Sequence, residues 1–288
     1  MFGLLNLNKP RGISSRAAVD VVQRLVRSNK AGHAGTLDPL ASGILVVCVG
    51  GATRLIEYVQ QLPKRYLAEF QLGQESPTED IEGEITLRPN DPQPTLAEIE
   101  AVLPQFVGQI LQRPPAFSAL KVAGKRAYDL ARQGKEVTLQ PRPIDVFSIV
   151  IQAYNYPTLT LDIRCGSGTY VRSLGRDLAE ALGTAAVMSN LVRTEIGDFT
   201  LATAVSPDVL TTTNLAEYLL PADRAVQRLP RVTITSEEMI ELGHGRSISL
   251  RGTETEEYAA LSTTGKLVAV LLAKEGRWWP MRVFAKEE

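Results

Sequence analysis

The sequence predicts an α+β fold with a small, mostly β, C-terminal domain. Three observations carry this. Ile44-Leu45-Val46-Val47-Cys48-Val49 is an unbroken apolar run of strand length, and Lys64 to Leu72 alternates with Tyr66, Ala68 and Phe70 on one face. Ala18, Val21, Val22, Leu25 and Val26 fall at helical spacing behind a Ser14-Ser15 cap. Beyond Pro230 the pattern changes to short strands around one capped helix.

In chain order, Gly3 to Asn6 reads as a strand ending in the turn Lys9-Pro10-Arg11-Gly12. The first helix runs to about Arg27, with Arg16, Arg24 and Arg27 off its apolar stripe. A loop, the apolar strand and a short helix over Thr53–Gln60 follow. Leu96 to Leu103 is helical. Gln112-Arg113-Pro114-Pro115 opens a segment of different character: a strand at Ser118–Val122, a turn at Ala123-Gly124 and a helix over Arg126–Arg132 stopped by Gly134. This basic segment reads as an insertion that closes over a ligand. Strands over Ile144–Ala153 and Thr158–Cys165 join through Asn155-Tyr156-Pro157, and Gly166-Ser167-Gly168 leads into a helix over Tyr170–Leu182. Ala186 to Ile196 is mixed in pattern, and Pro207 to Val226 holds short helices. In the C-terminal part, Thr235-Ser236-Glu237-Glu238 opens a helix that Gly243 ends. Strands are expected at Arg231–Thr235, Ser247–Leu250, Glu257–Ser262, Leu267–Lys274 and Trp278–Phe284.

Composition narrows the class. The chain has 288 residues, 44% hydrophobic and 22% charged, as expected of an ordinary soluble protein with a sizeable core. No apolar run reaches membrane-span length, and the first residues lack a secretory pattern, so a cytoplasmic location is expected. Cys48 and Cys165 both fall in strands, as reduced structural cysteines would. With His33 and His244 they make no metal-ligand spacing, so no metal is expected. Gly50-Gly51-Ala52-Thr53 lacks the spacing and lysine of a phosphate loop, and Gly166-Ser167-Gly168-Thr169 lacks the remainder of a dinucleotide fingerprint, so no nucleotide cofactor is expected. Net charge is −1, but unevenly spread. Residues 1–72 carry nine Lys/Arg against four Asp/Glu, residues 73–106 one against eight, and residues 107–145 seven against three. A polyanion would use the two basic segments while the acidic one faces away; a balanced solvated surface reads the same way.

The chemistry concentrates in Gly32-His33-Ala34-Gly35-Thr36-Leu37-Asp38-Pro39-Leu40-Ala41-Ser42-Gly43. One carboxylate, Asp38, sits among small residues that let a flat ligand approach the main chain. The same pattern also describes a tight turn in which Asp38 caps a backbone N–H. Tyr66 lies beside Lys64-Arg65, and Tyr170 and Arg172 flank Val171 at a helix start. A tyrosine face stacks on a base, and an arginine pairs with a carboxylate or a phosphate. Singly, these are equally a strand core residue, a helix-end packing residue and a surface charge.

Taken in order, the motifs resemble those of the bacterial tRNA pseudouridine-55 synthases, the TruB family. The resemblance rests on Lys9-Pro10-Arg11-Gly12-Ile13-Ser14-Ser15, GHAGTLDPLASG, Lys64-Arg65-Tyr66, Arg113-Pro114-Pro115-Ala116-Phe117-Ser118-Ala119-Leu120-Lys121, Gly124-Lys125-Arg126-Ala127-Tyr128, Gly168-Thr169-Tyr170-Val171-Arg172 and Leu191-Val192-Arg193-Thr194. It spans about Leu7 to Phe199. Departures are Ala34 where threonine is common, Arg54 where lysine is common and Gly166 where serine is common.

The resemblance implies a mixed, mostly antiparallel sheet flanked by helices over residues 1–230, with a thumb-like RNA-binding insertion at about 112–142. It implies a PUA-like RNA-binding domain over 231–288. It also implies a stand-alone enzyme, working as a monomer without guide RNA, membrane or obligate protein partner, that isomerises a uridine in the T-loop of tRNA. Asp38 becomes the catalytic carboxylate and Arg172 its ionic partner. Tyr66 stacks on the target base, Tyr170 and Leu191 line the pocket wall, His33 lies beside the RNA, and Lys9 joins the substrate-binding set.

Isomerisation breaks the bond from C1′ to N1, turns the base and joins C1′ to C5, which needs no redox cofactor. One ionised carboxylate beside the sugar either attacks or stabilises. A single evident pocket acid suits isomerisation, whereas a glycosidase adds a second acid. The base must leave the stack to be reached. The residues leave three acts open to Asp38: attack at C1′, attack on the base, or removal of a sugar proton. Three rivals compete: an RNA-binding protein without catalysis, a guide-RNA-dependent synthase, and a glycoside hydrolase. The Asp38–Arg172 pairing argues against the first, the insertion and the lack of long basic tails against the second, and the missing second acid against the third.

Overall fold

The computed structural model describes residues 1–118, 121–122, 125–126, 139–249, 251 and 257–284. The helix expected over Arg126–Arg132, apart from Arg126, lies outside these residues, as does the middle of the expected insertion.

The chain opens with β1 (Gly3–Lys9), α1 (Ser15–Val26), β2 (Ala31–His33) and β3 (Ser42–Val49). Next come α2 (Ile56–Gln61), β4 (Lys64–Leu72), β5 (Gln74–Glu75), β6 (Thr86–Leu87), α3 (Leu96–Val102) and β7 (Gly108–Gln112). A short pair, β8 (Lys121–Val122) and β9 (Lys125–Arg126), precedes β10 (Arg142–Asn155) and β11 (Thr158–Cys165). Then follow α4 (Val171–Ala181), β12 (Ala186–Ile196) and β13 (Phe199–Thr200). The C-terminal part holds β14 (Arg231–Thr233), α5 (Ser236–Gly243), β15 (Ile248–Ser249), β16 (Glu257–Leu261), β17 (Leu267–Lys274) and β18 (Arg277–Val283).

The large sheet runs β1-β3-β12-β4-β11-β10-β7, with β2 on β3 and β13 on β12. Every pairing is antiparallel except β3 with β12. The C-terminal sheet runs β14-β16-β17-β18-β15. The fold is α+β, as the sequence indicated.

Local causes are visible at several elements. Ser14 caps α1 by accepting from the Ala17 N–H at 3.1 Å, and Ala18, Val19, Val22 and Val26 form its buried face. Thr95 with Glu98, and Thr235 with Glu238, form capping boxes that start α3 and α5. Residues 186–196, mixed in sequence, form β12, an interior strand beside the central β4. Two register shifts, between Met188 and Asn190 and between Arg193 and Glu195, break the alternation that would mark a strand.

That central position matters. On β4, Tyr66, Ala68 and Phe70 form the buried face, and α4 packs against it with Val171, Leu174 and Leu178. Gly175 permits the contact: a Cβ there would lie 2.0 Å from the Phe70 ring, which is itself fully buried. Gly175→Ala is therefore expected to destabilise the fold by about 1–3 kcal/mol, the usual cost of overpacking a core. Urea unfolding against the parent checks this; an unchanged midpoint contradicts the packing account.

Candidate active site

The site forms where the 34–43 loop, the start of α4 and a turn over residues 76–83 meet. The loop is tied down from three sides. Ser15 Oγ accepts from the Leu37 N–H at 2.7 Å and donates to the Leu37 carbonyl at 2.9 Å. Ala34 N–H donates to the Val46 carbonyl at 2.9 Å. Arg193, from β12, donates to the carbonyls of Ile44 at 2.7 Å, Gly35 at 3.1 Å and Thr36 at 3.4 Å. Close approach of this strand requires Gly43: at φ 101°, its Cβ would lie 2.2 Å from the Arg193 carbonyl oxygen.

On this frame Asp38 forms a turn, with Ala41 N–H on its carbonyl at 3.0 Å. Its carboxylate goes to Arg172, Oδ2 to Nη2 at 3.0 Å. The tight-turn reading was thus right for the backbone, while the side chain does separate work. Arg172 is buried at the first turn of α4 and is no surface charge. Its other guanidinium nitrogen meets the Asp80 carboxylate at 3.3 Å and donates to the Thr78 carbonyl at 2.5 Å. Nη2 also reaches the Phe117 carbonyl at 3.2 Å. Burying a guanidinium is costly unless charge and hydrogen bonds replace its water, and here both do.

This overturns two expectations. The pocket holds more than one acid, and the acidic segment does not all face away. Thr78 Oγ1 and the Glu82 N–H both donate to Asp80 Oδ1, at 2.6 and 3.1 Å, and turn the carboxylate inward. Backbone bonds to Met188 latch the turn onto β12. The segment brings the Asp80 carboxylate and the Thr78 carbonyl onto the buried Arg172. Glu82 stands at the rim, where desolvation and the charges of Asp80 and Asp38 raise its pKa. The two carboxylates on Arg172 are not equivalent, however: the Asp80 side chain is 4% exposed and Asp38 38%, so only Asp38 is open to a ligand.

The other candidates surround this pair. Tyr66 is buried on β4 opposite Arg193, in one apolar cluster with Leu37, Leu40, Val171 and Leu191. Burial raises its phenol pKa, which the Arg193 guanidinium opposes. Tyr170 caps α4; Gln112 clasps its backbone with bonds to N–H at 2.9 Å and carbonyl at 3.0 Å, and the Arg142 guanidinium lies 5.2 Å from its ring centre. His33 ends β2, paired with Val47. Lys9 departs from its expected place. It is fully buried and gives its ammonium to the carbonyls of Pro10 at 2.9 Å and Ile13 at 2.7 Å. Burial pushes its pKa down to about 8 against the pull of Asp38. Lys9 therefore braces the turn behind the loop and offers no ammonium on the face of the site. Asp80 and Arg193 were missed as site residues. Arg193 lies in Leu191-Val192-Arg193-Thr194, and the polar run Ser76-Pro77-Thr78-Glu79-Asp80 has the composition of a structured turn within the acidic segment.

Among solved structures, a chain of a Cbf5–Nop10–Gar1 complex has a TM-score of 0.74 and 26% identity, covering 99% of this chain and 84% of that one. A chain in an H/ACA RNP bound to a substrate RNA containing 2′-deoxyuridine has a TM-score of 0.75 at 23% identity, a likeness of fold that covers 99% of this chain and 86% of that one. The fold is that of a pseudouridine synthase. Residues 23–171 match the TruB family pseudouridylate synthase N-terminal domain, 172–227 the tRNA pseudouridylate synthase B C-terminal domain, and 229–285 the tRNA pseudouridine synthase II C-terminal domain. A tRNA pseudouridine synthase B of Dehalococcoides mccartyi is 42% identical over 99% of this chain and 97% of its own length. One from Caulobacter vibrioides is 39% identical over 98% and 96%. The chain belongs to the TruB family of pseudouridylate synthases.

Burial and the nearby Arg193 cation hold the His33 imidazole below its ordinary pKa of 6.5. Below that value the unfolded chain takes a proton that the folded one resists, so stability falls on acidification through this range. Proton NMR titration, with His33→Asn to assign the resonance, should place His33 below 6.5. A midpoint at or above it contradicts the buried site.

Proposed function

We propose that the protein isomerises uridine-55 in the T-loop of tRNA to pseudouridine, as a stand-alone enzyme with Asp38 as its catalytic carboxylate. The observation that carries this is the Asp38–Arg172 ion pair, buried on the arginine side and open on the aspartate side, beside a tyrosine within an apolar wall. Family membership and relatives named tRNA pseudouridine synthase B support the substrate class.

The uridine leaves the T-loop stack and enters with its base against Tyr66. Leu191 and Tyr170 form the wall, and His33 lies beside the RNA. Tyr66 is held by β4 and its cluster, so base stacking costs little side-chain ordering. As the C1′–N1 bond breaks, Asp38 meets the electron-poor sugar or its neighbouring proton, with Arg172 fixing the carboxylate's orientation. The detached base, holding the bond's electron pair at N1, stays enclosed, turns and rejoins through C5; the C5 proton is released to solvent and N1 takes up a proton from solvent. Asp80 serves Arg172 rather than the substrate, so a second carboxylate here does not make a glycosidase. The basic segments of residues 1–72 and 107–145 and the C-terminal domain would contact phosphates, so affinity should fall with salt.

Unmodified tRNA tritiated at uridine C5 tests the reaction. Wild type should release tritium from one uridine of the T-loop, and Asp38→Asn should release none; release by that variant removes Asp38 as catalyst, and no release by wild type removes the enzyme. Tyr66→Ala should lose about a hundredfold in turnover, as misplacement of a reacting group does, while tRNA binding in a filter assay changes little. Equal loss of both contradicts the stacking role.

A further inference from the structure

We infer that Glu79 is a positioning residue, clasping the acidic turn to α4 so that Asp80 and Thr78 hold one side of Arg172 and leave the other for Asp38; this rests on the synthase reading above. Glu79 adopts φ 62°, a left-handed backbone that is unfavourable for a non-glycine residue. Neighbouring contacts must hold it there. Its carboxylate, 12% exposed, accepts from Ser173 Oγ at 2.6 Å and pairs with the Arg176 guanidinium. Arg176 is fixed in turn by Asp177 at 2.7 Å and by the Arg113 carbonyl at 2.8 Å.

Ser173 follows Arg172 directly, and Arg176 lies one turn further along the same helix. The carboxylate thus joins the residue preceding Asp80 to the helix that carries Arg172. Two backbone bonds to β12 flank Asp80: Met188 N–H to the Glu79 carbonyl at 3.0 Å, and Ile81 N–H to the Met188 carbonyl at 3.1 Å. The side-chain clasp and this backbone latch approach the turn from different elements. Together they set where Asp80 Oδ2 and the Thr78 carbonyl meet Nη1 of Arg172. Losing the clasp would let the strained residue relax and shift both acceptors. Arg172 would then follow Asp38 or drift from it. Among the described residues Glu79 bonds Ser173, Arg176 and Met188 and not Asp38, so its link to Asp38 runs through Arg172.

Glu79→Gln keeps the shape and removes the charge, while Glu79→Gly keeps the left-handed backbone and removes the clasp. Single-turnover tritium release at saturating tRNA should fall about ten- to a hundredfold in both, with the dissociation constant within about twofold of wild type. Rates within about twofold of wild type in the Gln variant overturn the inference, and a fully active Gly variant reduces Glu79 to a backbone role. In an Asp80→Asn background the Glu79→Gln loss should nearly vanish; losses that simply multiply also overturn it. If wild type itself releases no tritium, the synthase reading fails. The positioning claim is then decided by the Arg172 Nε–H resonance, which should move in Glu79→Gln and would refute the claim by staying in place.

Discussion

The site depends on one buried guanidinium. Arg172 lies where α4 begins, taken out of water by the apolar cluster around Val171 and Leu174. A charge in that position is stable only with partners at close range. It takes two carboxylates and two carbonyls, from three separate stretches of chain. The interaction therefore does more than pair two groups. It fixes the distance between the Asp38 loop, the acidic turn and the helix start, and leaves one carboxylate facing outward.

A second buried arginine does the same for the backbone. Arg193 spends its guanidinium on the carbonyls of Gly35 and Thr36 in the loop before Asp38 and of Ile44 in β3, and its own carbonyl packs against Gly43. The parallel contact between β12 and β3 brings it there. Lys9 braces the turn before α1 in a similar way. Lys9, expected in the substrate-binding set, and Arg193, given no role by the sequence, thus both turn inward. Both satisfy main-chain carbonyls, most of them in irregular segments beside the site.

Much of the architecture was legible because its signals are local. Apolar runs and alternation marked β3, β4, β10, β11 and the C-terminal strands, and side-chain caps marked the starts of α1 and α5. β12 was obscured because its bulges and its polar Asn190, Arg193, Thr194 and Glu195 hide the period-two pattern. The acidic turn was misjudged for a related reason. A run of Glu and Asp looks solvated in sequence, and nothing local announces that Asp80 and Glu79 face arginines almost a hundred residues away.

The sequence by itself determined the ingredients: a lone acid in a small-residue loop, two tyrosines, an arginine after a glycine-rich turn, and an ordered set of motifs that marks the family. Residue type and short-range spacing suffice for these, since turns, caps and periodicity are set by neighbours along the chain. Only the tertiary structure decided which acid is open and which is committed, that Lys9 is internal, and that Arg193 and Asp80 belong to the site. Those outcomes turn on burial. The cost of a desolvated charge depends on every group within a few ångströms, and these come from distant parts of the chain.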